Sequence, residues 1–409
     1  VVKCEHGCAA PYVVPARDDA AVAIGAETSM VLMVDGNRNG RYVLFDHDAH
    51  LSRVEGGRNN CVRCHHMNKP LEVAVIGAGL SGLVCARVVS DHGHRVRVLD
   101  KARGPGGRMS TRRIGHWQFD HGAQYFTVRD ARFARWVDVW LEDGVVAPWD
   151  GRIAVLDRGS VTVKEGDSTE RFVAVPGMNA ICRQLAVDVD VVYGTRIDSL
   201  ERQANRWRLA SSEGLDIGSF DAVVVSAPAP QTAALLACTA PDLAGRSAAV
   251  EMAPCWAVMA AFARPLDLEF DGAFVHGSPL GWLAQNSSKP GRPDGETWVL
   301  HGSPEWSREH LELEAEEAAT RLLAAFRDAV GGSPEAPVHL VAHRWRFALP
   351  VNVVPDECLF DAELGLAACG DWCGGPRVEG AVVSGRAAAR RILSLRRGSP
   401  DATRSVRHL

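Results

Sequence analysis

Residues 71–100, LEVAVIGAGLSGLVCARVVSDHGHRVRVLD, constrain the fold more than any other stretch of the chain. Val73, Val75 and Ile76 form a short apolar run of the kind buried in a parallel sheet, and Gly77, Gly79 and Gly82 follow at G-x-G-x-x-G spacing. The first glycine permits a tight turn, the second lets backbone N–H groups approach a pyrophosphate, and the third lets the next helix pack against the strand. That helix, expected over about residues 80–92 with Leu80 and Ser81 in its first turn, aims unpaired N–H groups and its positive end at the anion. Asp100 closes the second strand, where a carboxylate can hold ribose hydroxyls, with Lys101 beside it. A glycine turn that binds nothing is the bland alternative. Strand, helix and terminal acid agree against it.

Composition sets outer limits. A chain of 409 residues allows about two to three domains, and 46% hydrophobic residues suffice for full cores. A net charge of -5 offers no basic field, so a nucleic-acid partner is not expected. No apolar run reaches the ~18 residues of a membrane span. With no signal-peptide pattern and an odd number of Cys, 11, of which those after position 80 are scattered and do not read as a disulfide framework, we expect a cytoplasmic protein. Nothing in the chain fixes its oligomeric state.

A second loop follows the acid. Gly104-Pro105-Gly106-Gly107-Arg108-Met109 is a turn-rich segment whose backbone can lie close to a phosphate while Arg108 donates a bidentate pair of hydrogen bonds. A flexible basic loop is the alternative. Then comes Phe119-Asp120-His121-Gly122-Ala123-Gln124-Tyr125, in which His121 can be read as a base, although a backbone-shaping role beside a cofactor fits better. Gln124 and Tyr125 belong to the same candidate cofactor wall.

Phe133, Trp136, Val137 and Trp140 recur at helical spacing over about residues 130–143. Another helix is expected over about 179–185, then a β-meander whose Trp207 covers the sheet, and the buried strand DAVVVSAP at 221–228 re-enters the first sheet. Between about 251 and 346 the pattern turns β-rich, with a helix over about 308–330. We read this as a substrate domain whose aromatic face roofs the cofactor, most of its Trp being core. Trp282, Asn286, His301 and Trp345 are the candidate substrate contacts. Lone histidines such as His276, His301 and His343 are more often satisfied packing residues than bases. The loop 282–292, with Lys289 and Arg292, is polar and basic and suits substrate phosphate or amide groups.

The last signal is LAACGDWCGG, in which a buried strand delivers Gly370 and Asp371, the latter to a ribityl hydroxyl. A helix from about 378 to 395, beginning Val378-Glu379-Gly380-Ala381, then presents its positive end to the N1 and C2 carbonyl of a flavin. Anion contacts at both ends of the first unit and a distant ring site point to FAD rather than NAD.

Residues 1–69 differ in character. Cys61-Val62-Arg63-Cys64-His65 is a C-x-x-C-H run, the attachment signature of haem c, with His65 as proximal ligand. Cys4, Cys8, Cys61 and Cys64 can instead be grouped as a four-thiolate zinc site. A segment without any ligand is the third reading. Haem attachment would require export, placing the protein in the periplasm.

The order of motifs resembles the renalase family, in particular its bacterial members, flavoproteins of the p-hydroxybenzoate hydroxylase and amine oxidase fold group. The likeness rests on VAVIGAGLSGL, DKARGPGGRMSTRR, FDHGAQYFTVRDARFA, PGMNAI, SAPAPQ, WLAQNSSKPGR, TWVLHGSPEWS, AHRWRFALP and GDWCGGPRVEGAVVSGRAAARR, which span about residues 71–395. It implies an α/β fold. A Rossmann-like FAD-binding domain of the two-dinucleotide-motif type would comprise residues 70–128, 171–250 and 351–397. A mixed-sheet substrate domain would comprise 129–170 and 251–350, leaving 1–69 as an extension and 398–409 as a tail. It further implies oxidation of 2- and 6-dihydro isomers of NAD(P)H to NAD(P)+ by hydride transfer to flavin N5, with O2 reduced to hydrogen peroxide. A dihydronicotinamide becomes aromatic on losing hydride, so no general base is expected. A flavin amine oxidase is the nearest alternative, and a flavin and haem electron-relay protein the second.

Overall fold

The computed structural model describes residues 70–395, except 159, 164–168 and 333–334, together with strand residues 2–3, 9–10, 30–34 and 42–46. The chain divides into two compact units, Leu71–Arg396 and the remainder. In the smaller unit, Val2–Lys3 pairs with Ala9–Ala10, and Met30–Val34 pairs with Tyr42–Asp46, both antiparallel. The larger unit carries everything that follows.

Its first layer is a six-stranded sheet in the order Asp190–Tyr193, Arg95–Asp100, Glu72–Ile76, Ala222–Val225, Leu366–Ala368, Leu359–Asp361. All neighbours are parallel except the last pair. Such strands are buried on both faces, which is why AVVV and EVAVI read as nearly unbroken apolar runs. One face meets the meander Ile197–Gln203, Arg206–Ser211 and Asp216–Phe220, whose fully buried Trp207 joins Ala74, Ile76, Val223 and Val225 in one core. The indole N–H of Trp207 donates to the Leu364 carbonyl, 2.8 Å away.

The helices Leu80–Asp91 and Val378–Leu393 pack against each other so closely that a Cβ on Gly385 would overlap the Ser81 carbonyl oxygen. Only glycine fits at that crossing. The helix Ala131–Glu142, capped by the Asp130 side chain, is also tied to this layer: Arg132 pairs with Glu357 at 2.8 Å, and Glu379 accepts from the backbone N–H groups of Arg129 and Asp130.

The second layer is a mixed seven-stranded sheet, ordered Ser160–Val163, Ile153–Asp157, Gly272–His276, Leu280–Gln285, Glu296–Gly302, Met252–Phe262, His339–Pro350. Strand periodicity sorts its residues. Trp256, Val258, Ala260, Trp298 and Leu300 join the apolar side of the helix Ala315–Val330, whereas Met259, Ala261 and Val299 meet Phe119 on the opposite face.

The helix expected over about 308–330 is two helices, Pro304–Glu309 and Ala315–Val330. His310 follows the first and stacks on Trp306 at 4.5 Å, Arg344 takes the Leu311 carbonyl at 2.7 Å, and Leu313 packs against the core between the two helices. Among the described residues, no helix is long and apolar enough to cross a membrane.

Candidate active site

At the end of Glu72–Ile76 the backbone turns through Gly77 at φ +112°, a conformation in which any Cβ would run into the Ser226 carbonyl. A Cβ on Gly82 would overlap the Gly77 carbonyl, whereas one on Gly79 would meet nothing within 4 Å. Gly79 therefore presents bare backbone on an open side, and no side chain caps the helix that starts at Leu80 and Ser81. The loop ending at Gly107 lies along this turn: the Gly106 N–H donates to the Ala78 carbonyl at 3.0 Å. This cradle fits a pyrophosphate, with N–H groups rather than side chains as its donors.

Asp100 ends its strand as expected, but its carboxylate braces the loop: Oδ2 accepts from the Ala78 N–H at 2.5 Å and Oδ1 from the Ala102 N–H at 2.6 Å. One lone pair on each oxygen is left for a ribose, and Lys101 beside it is exposed. Met109 is buried, 4% exposed, and serves as packing.

The Arg108 guanidinium does not reach for phosphate. Its fork closes on Asp371, Nη1 to Oδ2 at 2.8 Å and Nη2 to Oδ1 at 2.6 Å, and Nη1 also donates to the Ala348 carbonyl at 3.1 Å. A carboxylate of this geometry matches the planar guanidinium fork and is held by two charge-assisted hydrogen bonds. Asp371 is thus both the candidate ribityl contact and the partner of Arg108. Next to it, the Gly370 N–H donates to Ser384 Oγ at 3.0 Å.

At the helix that begins with Val378 no side chain caps the first turn. The Glu379 carboxylate points away to the Arg129 and Asp130 N–H groups, at 2.7 and 2.8 Å. The Ala381 N–H is already used, donating to the Arg377 carbonyl at 3.0 Å.

Between the fork and the second sheet runs the segment 119–126, pinned because the Ala123 N–H donates to the Arg108 carbonyl at 2.9 Å. A Cβ on Gly122 would overlap that same carbonyl. Behind it lies an ion cluster that the sequence did not disclose. Asp120 accepts from Arg292 Nε and Nη2 at 3.0 and 2.7 Å, from the Met178 N–H at 2.9 Å and from Thr111 Oγ1 at 2.6 Å. Lys289 Nζ lies 3.7 Å from Asp120 Oδ2 and donates to Gln124 Oε1 at 2.9 Å and Asn286 Oδ1 at 3.1 Å. The side chains of Asp120, Lys289 and Arg292 are all 0% exposed.

Burial pushes the Asp120 carboxyl up, but Lys289, Arg292, the Met178 amide and the Thr111 hydroxyl bring it below its usual value. Burial lowers the Lys289 ammonium to about 7, with Asp120 opposing. Four assignments change accordingly. Lys289 and Arg292 are interior groups, not receivers of substrate phosphate. Asn286 is turned inward, its Nδ2 donating to the Gln118 carbonyl at 2.9 Å and its Oδ1 accepting from the Asp120 N–H at 3.1 Å. Gln124 donates to the Asp120 and Gly122 carbonyls and accepts from Lys289, so it organises the loop.

In front of the segment lies an aromatic wall. The registers Phe274↔Trp282, Trp282↔His301, Ala257↔His301 and Ala257↔His343 form a transverse row, so these side chains share one face of the second sheet. Trp345, two residues beyond His343, stacks on His121 at 5.2 Å and donates its indole N–H to the His121 carbonyl at 2.8 Å. His343 meets both rings edge-on, at 4.9 and 4.4 Å. Tyr125 faces Trp282 at 5.4 Å and Trp149 at 6.0 Å.

Burial lowers His121 to about 3, with His343 and Arg112 adding to the effect. It lowers His301 and His343 to about 4, aided by Lys289 and Arg112 respectively. All three are neutral imidazoles at pH 7. They are not all satisfied packing residues: His121 Nδ1, His301 Nε2 and Trp282 Nε1 are buried without a hydrogen-bond partner.

No group of three or more His, Cys, Asp or Glu side chains is placed to hold a metal ion among the described residues. The haem and zinc assignments to Cys4, Cys8, Cys61, Cys64 and His65 lie outside those residues.

Comparison with known proteins agrees with this architecture. Residues 75–139 match an NAD(P)-binding Rossmann-like domain, and residues 150–393 match the flavin containing amine oxidoreductase family. L-amino-acid oxidase of Mus musculus is 48% identical over 44 residues, 11% of this chain and 7% of that protein. L-amino-acid oxidase of Siganus canaliculatus is 35% identical over 80 residues, 19% of this chain and 14% of that protein. Phytoene desaturase of Rhodobacter capsulatus is 42% identical over 64 residues, 16% of this chain and 12% of that protein. The chain thus matches only a small part of each relative's length.

Among solved structures, a candidate protoporphyrinogen oxidase from Exiguobacterium sp. 255-15 superposes with a TM-score of 0.64 at 14% identity, covering 79% of this chain and 99% of that one. Putrescine oxidase bound to putrescine gives 0.61 at 14% identity, covering 80% and 99%. These likenesses establish the fold, and the family's flavin implies FAD as the group for the glycine cradle. Because one family model runs unbroken over residues 150–393 of a 409-residue chain, the protein belongs to the flavin containing amine oxidoreductase family.

Proposed function

We propose that the protein is an FAD-dependent oxidase of dihydronicotinamide dinucleotides, converting the 2- and 6-dihydro isomers of NAD(P)H to NAD(P)+ with O2 as electron acceptor and hydrogen peroxide as product. On this reading the FAD-binding domain comprises residues 70–128, 171–250 and 351–397, the substrate domain comprises 129–170 and 251–350, and the protein acts in the cytoplasm. FAD, when bound, supplies a hydride acceptor at its N5 position.

The observation that carries the reading is the neutrality of the aromatic wall. Asp120 and Asp371 are consumed by Arg and Lys partners and Glu379 by backbone N–H groups, while His121, His301 and His343 stay uncharged at pH 7. Among the described residues a protonated amine finds no free carboxylate there. A flat, uncharged dihydropyridine can stack on rings such as Trp282 and Trp345, which contribute orientation rather than proton transfer. Loss of hydride restores aromaticity, so no base is needed.

The flavin amine oxidase reading retains the family match as its support, with a neutral amine entering between the same rings. Stopped-flow mixing separates the two. The 2- and 6-dihydro isomers should bleach the flavin absorbance rapidly, and 4-dihydro-NADH and simple amines should not. Rapid bleaching by a monoamine or an L-amino acid would replace the proposal with the amine oxidase reading.

A further inference from the structure

We infer that Arg112 is the anchor for a phosphate group of the substrate, holding the nucleotide end of the molecule while its ring lies against the aromatic wall. This deepens the dihydronicotinamide reading and rests on it.

Arg112 stands in a short hairpin, Thr111–Ile114 paired with Trp117–Asp120, that joins the cofactor loop at Gly107 to the segment carrying His121. Alternation along the hairpin gives it two faces. One turns to the cofactor cradle: Thr111 and Asp120 bond each other at 2.6 Å, and the Met178 and Asn179 N–H groups donate to them at 2.9 and 3.4 Å. Asn179 in turn abuts Gly106, where a Cβ would lie 3.1 Å from it. The other face turns to the second sheet, where Ile114, Trp117 and Phe119 pack against Met259, Ala261 and Val299. Arg112 belongs to this face on two counts, being two residues from Ile114 and directly opposite Phe119 in the register.

Ring distances fix the level at which it meets the sheet. His339 lies 5.5 Å from Trp117 and 6.2 Å from Phe119, while His121 lies 4.9 Å from His343 and 5.2 Å from Trp345. Arg112, paired with Phe119, therefore emerges between these contacts, beside the wall and along His339–Pro350, the strand at the edge of the sheet. Burial first, and then the Arg112 charge, lower His339 and His343, and the same charge adds to the lowering of His121, which agrees with that place.

Arg108 closes on Asp371, Arg132 on Asp130 and Glu357, and Arg292 on Asp120. Among the described residues, the half-buried Arg112 guanidinium makes no hydrogen bond or ion pair. A planar fork left open beside neutral rings suits an anion that arrives with the ligand. The flavin's own pyrophosphate does not supply it, because the glycine cradle lies toward the opposite face of the hairpin. A dihydronicotinamide nucleotide brings an uncharged ring and a phosphate in one molecule, matching a neutral wall with a cation at its margin.

The test is calorimetric titration of the FAD-loaded protein with oxidised nicotinamide mononucleotide and with nicotinamide riboside, which lacks the phosphate. Wild type should prefer the mononucleotide by at least about tenfold, the range that a charge-assisted hydrogen bond contributes. In Arg112→Met that preference should disappear, the loss falling on the mononucleotide alone. Arg112→Lys keeps the charge without the fork and should retain an intermediate preference.

Equal wild-type affinity for the two ligands, or binding of neither, overturns the anchor and needs no variant to fold. So does an Arg112→Met protein of normal FAD content that keeps the full preference. Should the dihydro isomers still bleach the flavin in either case, the oxidase reading survives without the anchor. If L-amino acids bleach it instead, and only with Arg112 present, the fork holds a carboxylate and both readings fall.

Discussion

Replacing Asp120 with Asn tests the buried ion cluster most directly. Among the described residues, the carboxylate is the only anion paired with Lys289 and Arg292, in a site where all three side chains are 0% exposed. Asn keeps the shape and one acceptor but leaves the Arg292 guanidinium, at 2.7 and 3.0 Å, without a counter-charge. Breaking a buried pair from one side costs about 3–5 kcal/mol, because an uncompensated charge remains inside. Lys289 provides partial relief. Already lowered to about 7, it loses the attraction of Asp120 and sheds its proton at neutral pH.

Removing the Lys289 amine as well, in Asp120→Asn/Lys289→Met, leaves Gln124 Oε1 and Asn286 Oδ1 without that donor, but with Asp120 gone and the amine already neutral there is no ion pair left for it to break. The double variant should therefore lose less than the sum of the two single losses, by about 1 kcal/mol or more, since the groups share one network. Denaturant unfolding of all four proteins with FAD in excess measures the cycle. Additive losses, or an Asp120→Asn protein within about 1 kcal/mol of wild type, would refute the argument that the cluster is a charge-compensated unit.

Arg108→Met should release the brace on Asp371 at a cost of roughly 2–4 kcal/mol, less than for a fully buried pair because Arg108 keeps some exposure. Gel filtration should then strip flavin from the protein, and stoichiometric retention would contradict the role given to the fork. Acid should act through the histidines: His121 falls from 6.5 to about 3, and His301 and His343 from 6.5 to about 4. Between pH 6.5 and 4 the unfolded chain binds the extra protons, so stability drops as pH falls through that window. A plot of thermal midpoint against pH that is flat from 7 to 5 would contradict the buried, neutral assignment.

What was legible in the sequence was local. The unit from Glu72 to Asp100 appears as read because turn, helix and strand are encoded within thirty residues, and the core roles of Trp256 and Trp298 follow from strand alternation. The Asp120 cluster was not legible, since its partners at 286 and 292 lie 166 and 172 residues away and Lys-x-x-Arg in a polar loop looks like surface. The side-chain partners of Glu379 were hidden for a related reason. An acid in the first turn of a helix reads as part of whatever that helix faces, but its carboxylate turned to cap a different segment. The histidines erred the other way: packing neighbours were visible in the pattern, whereas the orphaned nitrogens exist only once Trp282 and His301 are brought opposite each other.

The Arg108–Asp371 pair joins points 263 residues apart along the chain. A ribosome that has delivered both glycine loops has therefore not yet fixed Arg108, because its partner emerges 263 residues later. A copy terminated before Asp371 would carry both glycine loops with the Arg108 guanidinium unbraced, so the order of synthesis itself holds back the finished site.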